Sequence, residues 1–187
     1  MIHSIRFIAV LDTNVVYPVI CRDLLFWFAY YDLYTPKWSK NIFDEWKHVM
    51  IRKGVSKEEA EKRIGKANSA FPDALVQSYD ALISHLDLPD KKDRHVLAAA
   101  IKVNANTIVT NNLKDFPTAY LQFFGLRAQK ADDFLTDLID LNQKQAIMAF
   151  KEMVLNKKNP PLNELEVLNQ LRKIGLHDTA NYLHAII

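Results

Sequence analysis

Apolar positions along the chain alternate between two rhythms, short unbroken runs and longer stripes of helical period. The run "IRFIAVL" (5–11) predicts a buried strand, stopped at once by Asp12. Residues 14–33, "NVVYPVICRDLLFWFAYYDL", have helical composition, with Pro18 placing a start or a break. "YTPKW" (34–38) predicts a second strand, and Ser39 then caps a helix that Gly54 closes. Ser56 and Glu59 form a capping box that opens another helix, through about residue 70. "ALISHLDLPD" (81–90) predicts a strand or extended connection, "DRHVLAAAIKVNAN" a helix, "TIVT" a strand, and "LRAQK" a last short strand.

Strands alternating with helices predict an α/β domain with a mostly parallel sheet. Beyond about residue 131 the pattern is helical throughout. Residues 132–156 predict one long helix, and "KKNPP" (157–161) breaks it. A stripe at Leu165, Leu168, Leu171 and Ile174 predicts another helix, with Gly175 as its stop, and "HDTANYLHAII" ends the chain as a short helix.

Composition narrows the function classes. The chain has 187 residues, 49% of them apolar and 25% charged, as expected of a soluble globular protein. Its net charge of +2 permits a nucleic-acid partner without requiring one. A single cysteine, Cys21, excludes an internal disulfide framework and fits a reducing cytoplasm; its apolar neighbours make it a buried, inert thiol. No secretion signal or membrane span is expected, because the apolar runs are too short. The six histidines lack zinc-motif spacing.

Four carboxylates stand in apolar surroundings. Asp12 ends the first strand, and ligands in parallel sheets bind beyond strand ends, although a helix cap fits Asp12 equally well. Glu45 falls within the stripe Ile42, Trp46, Val49 and Met50, so it needs a metal, a proton or an arginine or lysine partner. Asp93 opens the helix of Val96, Leu97, Ala100 and Ile101, where capping is the plain alternative; Asp90, after Pro89, competes with it or is a turn residue. Asp115 follows the "TIVT" strand. Convergence of these groups on one cleft would require cations, and an oxygen-only ligand set suits Mg²⁺ or Mn²⁺ acting on a phosphodiester.

In their order and spacing, "VLDTNVV", "IFDEW", "DRHVLAAAIK" and "IVTNNLKDF" resemble the PIN-domain ribonucleases, above all the VapC-like toxins of toxin–antitoxin pairs. The resemblance covers roughly residues 5–135. It implies a three-layer α/β/α fold (residues 1–135) followed by a helical extension (136–187). It also implies a metal-dependent endoribonuclease with Asp12, Glu45 and Asp93 as ligands and with Asp115, or Asn112 through water, as the fourth. Asn14 and Thr110 match polar positions flanking the family's site. Either Asp93 or Asp115 would take the proton of the attacking water. Lys91, Lys92, Arg94 and Lys114 flank the acids, as phosphate contacts or as solvated charge, and Trp38, Trp46 and Tyr17 are either base-stacking groups or core. The partners implied are an RNA substrate, a protein antitoxin and a second copy in a homodimer.

Two rival readings follow from the same residues. In one, Asn112 stands in place of an acid, and a catalytically impaired PIN-like module binds RNA or protein without cleaving. In the other, a haloacid-dehalogenase-type phosphatase, the nucleophile motif needs Asp-x-Asp, whereas "DTN" ends in Asn14.

Overall fold

The computed structural model describes residues 7–187. Strand β1 (Ile8–Leu11) leads into a single turn, α1 (Thr13–Val16), and Pro18 starts α2 (Val19–Tyr30). Strand β2 (Thr35–Ser39) is followed by α3 (Lys40–Arg52) and α4 (Lys57–Ala70), capped by the Ser39 and Ser56 hydroxyls as expected, although the Glu59 side chain of the expected capping box accepts from Arg63 at 2.9 Å instead. Residues 5 and 6 of the first expected strand lie outside the described residues.

The third strand, β3, is only Leu75–Val76. Two residues are too few to show a period, and of the strand or extended connection expected at 81–90 the start is a short helix, α5 (Asp80–Ile83), and the rest is irregular connecting chain. After a 3-10 turn (Lys91–Asp93) come α6 (Arg94–Lys102) and β4 (Thr107–Val109). A second 3-10 turn (Leu113–Asp115), α7 (Thr118–Gln122) and β5 (Arg127–Gln129) complete the α/β part.

All five strands pair in parallel, in the order β3-β2-β1-β4-β5, with Val10 opposite both Lys37 and Ile108. Helices cover both sides, so the architecture is the expected three-layer α/β/α one. The strand order reverses between β1 and β4, and at such a switch point the loops leaving neighbouring strands diverge and open a crevice. The residues leaving the two carboxyl ends there are Asp12 and Thr110. Helix α3 buries Ile42, Phe43, Trp46 and Met50, and Trp38 stacks on Phe43 at 5.0 Å between ring centres. This aromatic anchoring fixes α3 in rotation, and Glu45 stands at the edge of its buried face, half-exposed. Trp38 and Trp46 are fully buried and belong to the core, so stacking on bases is closed to both.

The chain divides into two compact units. One comprises the segments up to Tyr17 and Thr35–Gln129; the other comprises Pro18–Tyr34 and Lys130–Ile187. The second unit is all-helical, with α2, α8 (Ala131–Leu141), α9 (Gln143–Leu155), α10 (Glu164–Lys173) and α11 (His177–Ile186). The single long helix expected over 132–156 is broken at Asn142. Its backbone leaves the helical region (φ −155°, ψ 81°), and its side chain accepts from the Gln145 amide at 3.1 Å to cap α9. The stripe expected in α10 also shifts: Val167, Leu168 and Leu171 are buried, while Leu165 and Ile174 face solvent. Gly175, at φ 89°, ends the region as expected. Cys21 is buried in this unit, and burial pushes its thiol up to about 12, which keeps it unreactive. Among the described residues no helix is long and apolar enough to cross a membrane.

Candidate active site

Asp12 sits where β1 ends, and nearly all of it is buried. Its two oxygens are fully engaged. Oδ1 accepts from the Thr13 amide at 2.6 Å, and Oδ2 accepts from the Thr110 hydroxyl at 2.8 Å and from the Asn14 side-chain amide. The expected capping role is thus present, and the same carboxylate also faces the neighbouring strand exit. Burial raises the Asp12 carboxyl above its ordinary range against the Thr110 and Thr13 hydrogen bonds, and the neighbouring Glu45 charge adds to the rise.

Asn14 ties the strand ends together. Its amide donates to Thr110 Oγ1 at 2.8 Å, and its carbonyl accepts from the Asn111 amide at 2.9 Å. Thr110 in turn accepts from the Asn112 backbone amide at 3.1 Å. The polar positions at 14 and 110 thus hold Asp12 and the β4 exit in one network.

Glu45 reaches the same place from α3. Thr13 Oγ1 donates to its Oε2 at 2.6 Å, and His95 Nε2 lies 2.8 Å from its Oε1. The partner is thus a histidine, where the ion-pair alternative named an arginine or lysine. Burial disfavours the Glu45 charge, but the His95 and Thr13 hydrogen bonds outweigh it and leave the carboxyl below its usual range. An ionised carboxylate only accepts, so Nε2 carries the hydrogen of this bond. His95 Nδ1 is buried and makes no hydrogen bond. Sequence reasoning missed His95. The available signal was a polar ring inside an apolar helix, the same argument that singles out Glu45.

Asp93 ends the first 3-10 turn, and its side chain makes no capping bond. The capping alternative therefore does not account for it. Its carboxyl is pushed up to about 6 by burial, and by the charges of Asp12, Asp90, Asp115 and Glu45. Asp90, Asp93 and Asp115 each offer an oxygen, and these atoms all lie within 4.8 Å of one another. Asp90 is thus more than a turn residue, although one oxygen also accepts from the Lys92 amide at 2.8 Å. Asn112 donates its side-chain amide to Asp115 Oδ2.

One open cavity of about 370 Å³ joins these parts, with Asp12, Asn14, Glu45, Asp93 and Asn112 on its walls. Of the flanking cations, Lys91, Lys92 and Lys114 are exposed, and Arg94 is engaged with Asp87 at 3.1 Å. The donors are all oxygens and are crowded enough to raise the Asp93 carboxyl, so the residues fit a hard divalent cation.

Comparison with known proteins agrees with this geometry. Residues 8–114, more than half of the chain, match the PIN domain family. The chain belongs to that family. Residues 131–185 match the VapC50 C-terminal domain family. A curated protein of Mycobacterium tuberculosis (strain ATCC 25618 / H37Rv), named "Putative ribonuclease VapC50", is 36% identical over 109 residues, covering 56% of this chain and 64% of the relative. The match thus spans somewhat less than two thirds of the relative's own length. No solved structure matches the chain. Within the PIN domain, the end of β1, helix α3 and the 3-10 turn before α6 each bring one acid to the cavity.

Proposed function

We propose that the chain is a metal-dependent endoribonuclease, with Mg²⁺ or Mn²⁺ as cofactor, and the toxin member of a toxin–antitoxin pair restrained by a protein antitoxin. The observation that carries this reading is the convergence of Asp12, Glu45 and Asp93 on one cavity at the switch point of a PIN-domain sheet. The relative whose name says ribonuclease points the same way.

Asp12, Glu45, Asp93 and Asp115 would hold the cation, with Asp90 beside the last two. A divalent cation so bound supplies positive charge that polarises the scissile phosphodiester and acidifies water. The chain's own part is positioning and proton transfer. Thr13, Asn14, Thr110 and His95 fix the Asp12 and Glu45 carboxylates, so no reorganisation is needed during reaction. Asp93, whose side chain makes no capping hydrogen bond, would take the proton of the attacking water. Asp115 is already engaged by the Asn112 amide and is the poorer base.

The test is cleavage of end-labelled RNA by the full chain, with Mg²⁺ or Mn²⁺ titrated in. Cleavage is expected only with metal, and it is expected to vanish in Asp12→Asn and in Glu45→Gln. If both variants cut as fast as the parent, this reading is wrong. A second reading has one observation in its favour, the neutral Asn112 on the cavity wall. A parent chain that binds RNA but leaves it intact at every metal concentration would establish that impaired module instead.

A further inference from the structure

The cavity is larger than the acidic centre needs. A water molecule takes up about 30 Å³ of liquid, so an ion whose six oxygen ligands include wall carboxylates fills less than about half of the cavity's roughly 370 Å³. The remaining wall is of a different chemistry. It is made by Tyr17, Val49, Arg52 and Lys53. Along α3, Glu45, Val49 and the Arg52–Lys53 pair follow at i, i+4 and i+7/i+8, so they form one stripe that runs from the carboxylates to the helix end. At 1.5 Å per residue the cations lie about 10 Å along the axis from Glu45.

That spacing decides what they can hold. It sets them beside the next phosphate of a strand whose scissile phosphate lies on the acidic centre. Arg52 and Lys53 are both exposed, and neither forms an ion pair among the described residues. Between the two charged ends, half-buried Tyr17 and Val49 present an aromatic and an aliphatic surface. A cation pair, an apolar step and an acidic centre in one open groove make the alternation that a single strand presents, with charge on the backbone and flat apolar bases.

We propose that this end of the cavity is a subsite for the nucleotide next to the scissile phosphate. Arg52 and Lys53 hold its outer phosphate, and Tyr17 packs on its base. The inference rests on the ribonuclease reading for the nature of the ligand. A paired duplex fits it poorly, because a stacked base has no free face for Tyr17.

The test reads binding, so it stands apart from turnover. Fluorescence anisotropy with a labelled hexauridylate measures the Kd of the full chain on an Asp93→Asn background across a salt series. Replacing Arg52 and Lys53 together by Ala is expected to weaken binding about tenfold and to flatten the log Kd–log salt slope by about 0.7 for each phosphate no longer neutralised. Tyr17→Leu is expected to weaken binding about five- to tenfold with no change in slope, since stacking carries no counterion release. Arg52 and Lys53 are exposed, so the chain folds without them. An unchanged salt slope in the double variant, or equal Kd values throughout, overturns the subsite. A parent chain that cleaves no RNA yet shows these shifts would sink the nuclease reading and leave the subsite standing.

Discussion

The two halves of the acidic cleft are built on opposite principles. Asp12 and Glu45 come from the end of a central strand and from a helix anchored by Trp46, and every one of their carboxylate oxygens accepts a hydrogen bond. Asp93, Asp90 and Asp115 come from two 3-10 turns, where like charges stand within 4.8 Å and the Asp93 carboxylate caps nothing. The first half is stable as it stands. The second holds like charges close together, a repulsion that a proton on Asp93 or a bound cation would relieve. The fold therefore supplies a hydrogen-bonded anchor and a charge-strained jaw, and on the proposed reading the strain lies where the cation would bind.

The widest gap between the halves is expected in paired neutralising variants. Asp93→Asn is expected to lower metal-dependent cleavage by ~100-fold or more, equivalent to at least ~2.7 kcal/mol of barrier. The same change should make the metal-free chain more stable. A carboxyl raised to about 6 penalises folding wherever it is ionised, and screening reduces the nominal two-unit effect to about 1 kcal/mol. Asp12→Asn should lose cleavage too, but it should cost about 1–3 kcal/mol of stability, because its amide faces the Thr110 and Asn14 donors. Urea denaturation without metal checks the signs. If both variants shift stability the same way, the contrast between the halves is wrong.

Acidity should reveal the same contrast. The Asp93 penalty is full above pH 6 and disappears as the pH falls from about 6 towards 4, and Asp12, also raised, acts in the same direction. Glu45 is lowered, so its contribution is present above its ordinary value near 4.3 and is lost only below it. Without metal the melting temperature should therefore rise on acidification from pH 7 to 5. With Mn²⁺ at about 100 times its Kd, which adds about 2.7 kcal/mol at neutral pH, the trend should reverse, because protons displace the cation from Asp93. Calorimetric melting curves at pH 7, 6 and 5 test this reversal of slope.

Within the anchored half, His95 is the group to remove. A residue that orients a metal-holding carboxylate is worth about 10–100-fold in affinity or activity when lost. His95→Leu should lower Mn²⁺ affinity by about that factor, whereas His95→Gln, which keeps a donor within reach of Glu45 Oε1, should recover much of it. Calorimetric titration with Mn²⁺ separates this from a purely structural role, in which the two variants would bind alike.

How much of this was legible in the sequence depends on the distance over which each feature is set. Strand β1, the caps Ser39 and Ser56, and the acids at 12, 45 and 93 are written in local pattern, because a carboxylate in an apolar stripe is anomalous wherever the chain goes. Strand β3 was not legible, since two residues carry no period. The break at Asn142 was hidden because an asparagine fits a polar helix position as well as a cap. Asp90 read as a turn residue, and only the fold brings Asp115 within reach of it. The Glu45–His95 pair spans 50 residues, and no local rule predicts it. The basic end of α3 carries no local signal of its own, and only the cavity joins it to the carboxylates.

The smallest expected effect bears on the turn after β4, where the sequence left Asn112 and Asp115 competing for one role. The two are not equivalent. Asp115 contributes an oxygen to the carboxylate group with Asp90 and Asp93, whereas Asn112 spends its amide on Asp115 and so orients that oxygen. Asn112→Ala should therefore lower Mn²⁺ affinity only about two- to fivefold, the worth of one partly exposed hydrogen bond to a charge. Asp115→Ala should lower it by ten times or more, because it removes a full charge from beside the cation. The order of the two losses, measured by Mn²⁺ titration at pH 7.5, identifies the ligand. If Asn112→Ala is the more damaging, the amide oxygen and not the Asp115 carboxylate faces the metal, and the charge-strained half of the cleft is one acid smaller than its geometry implies.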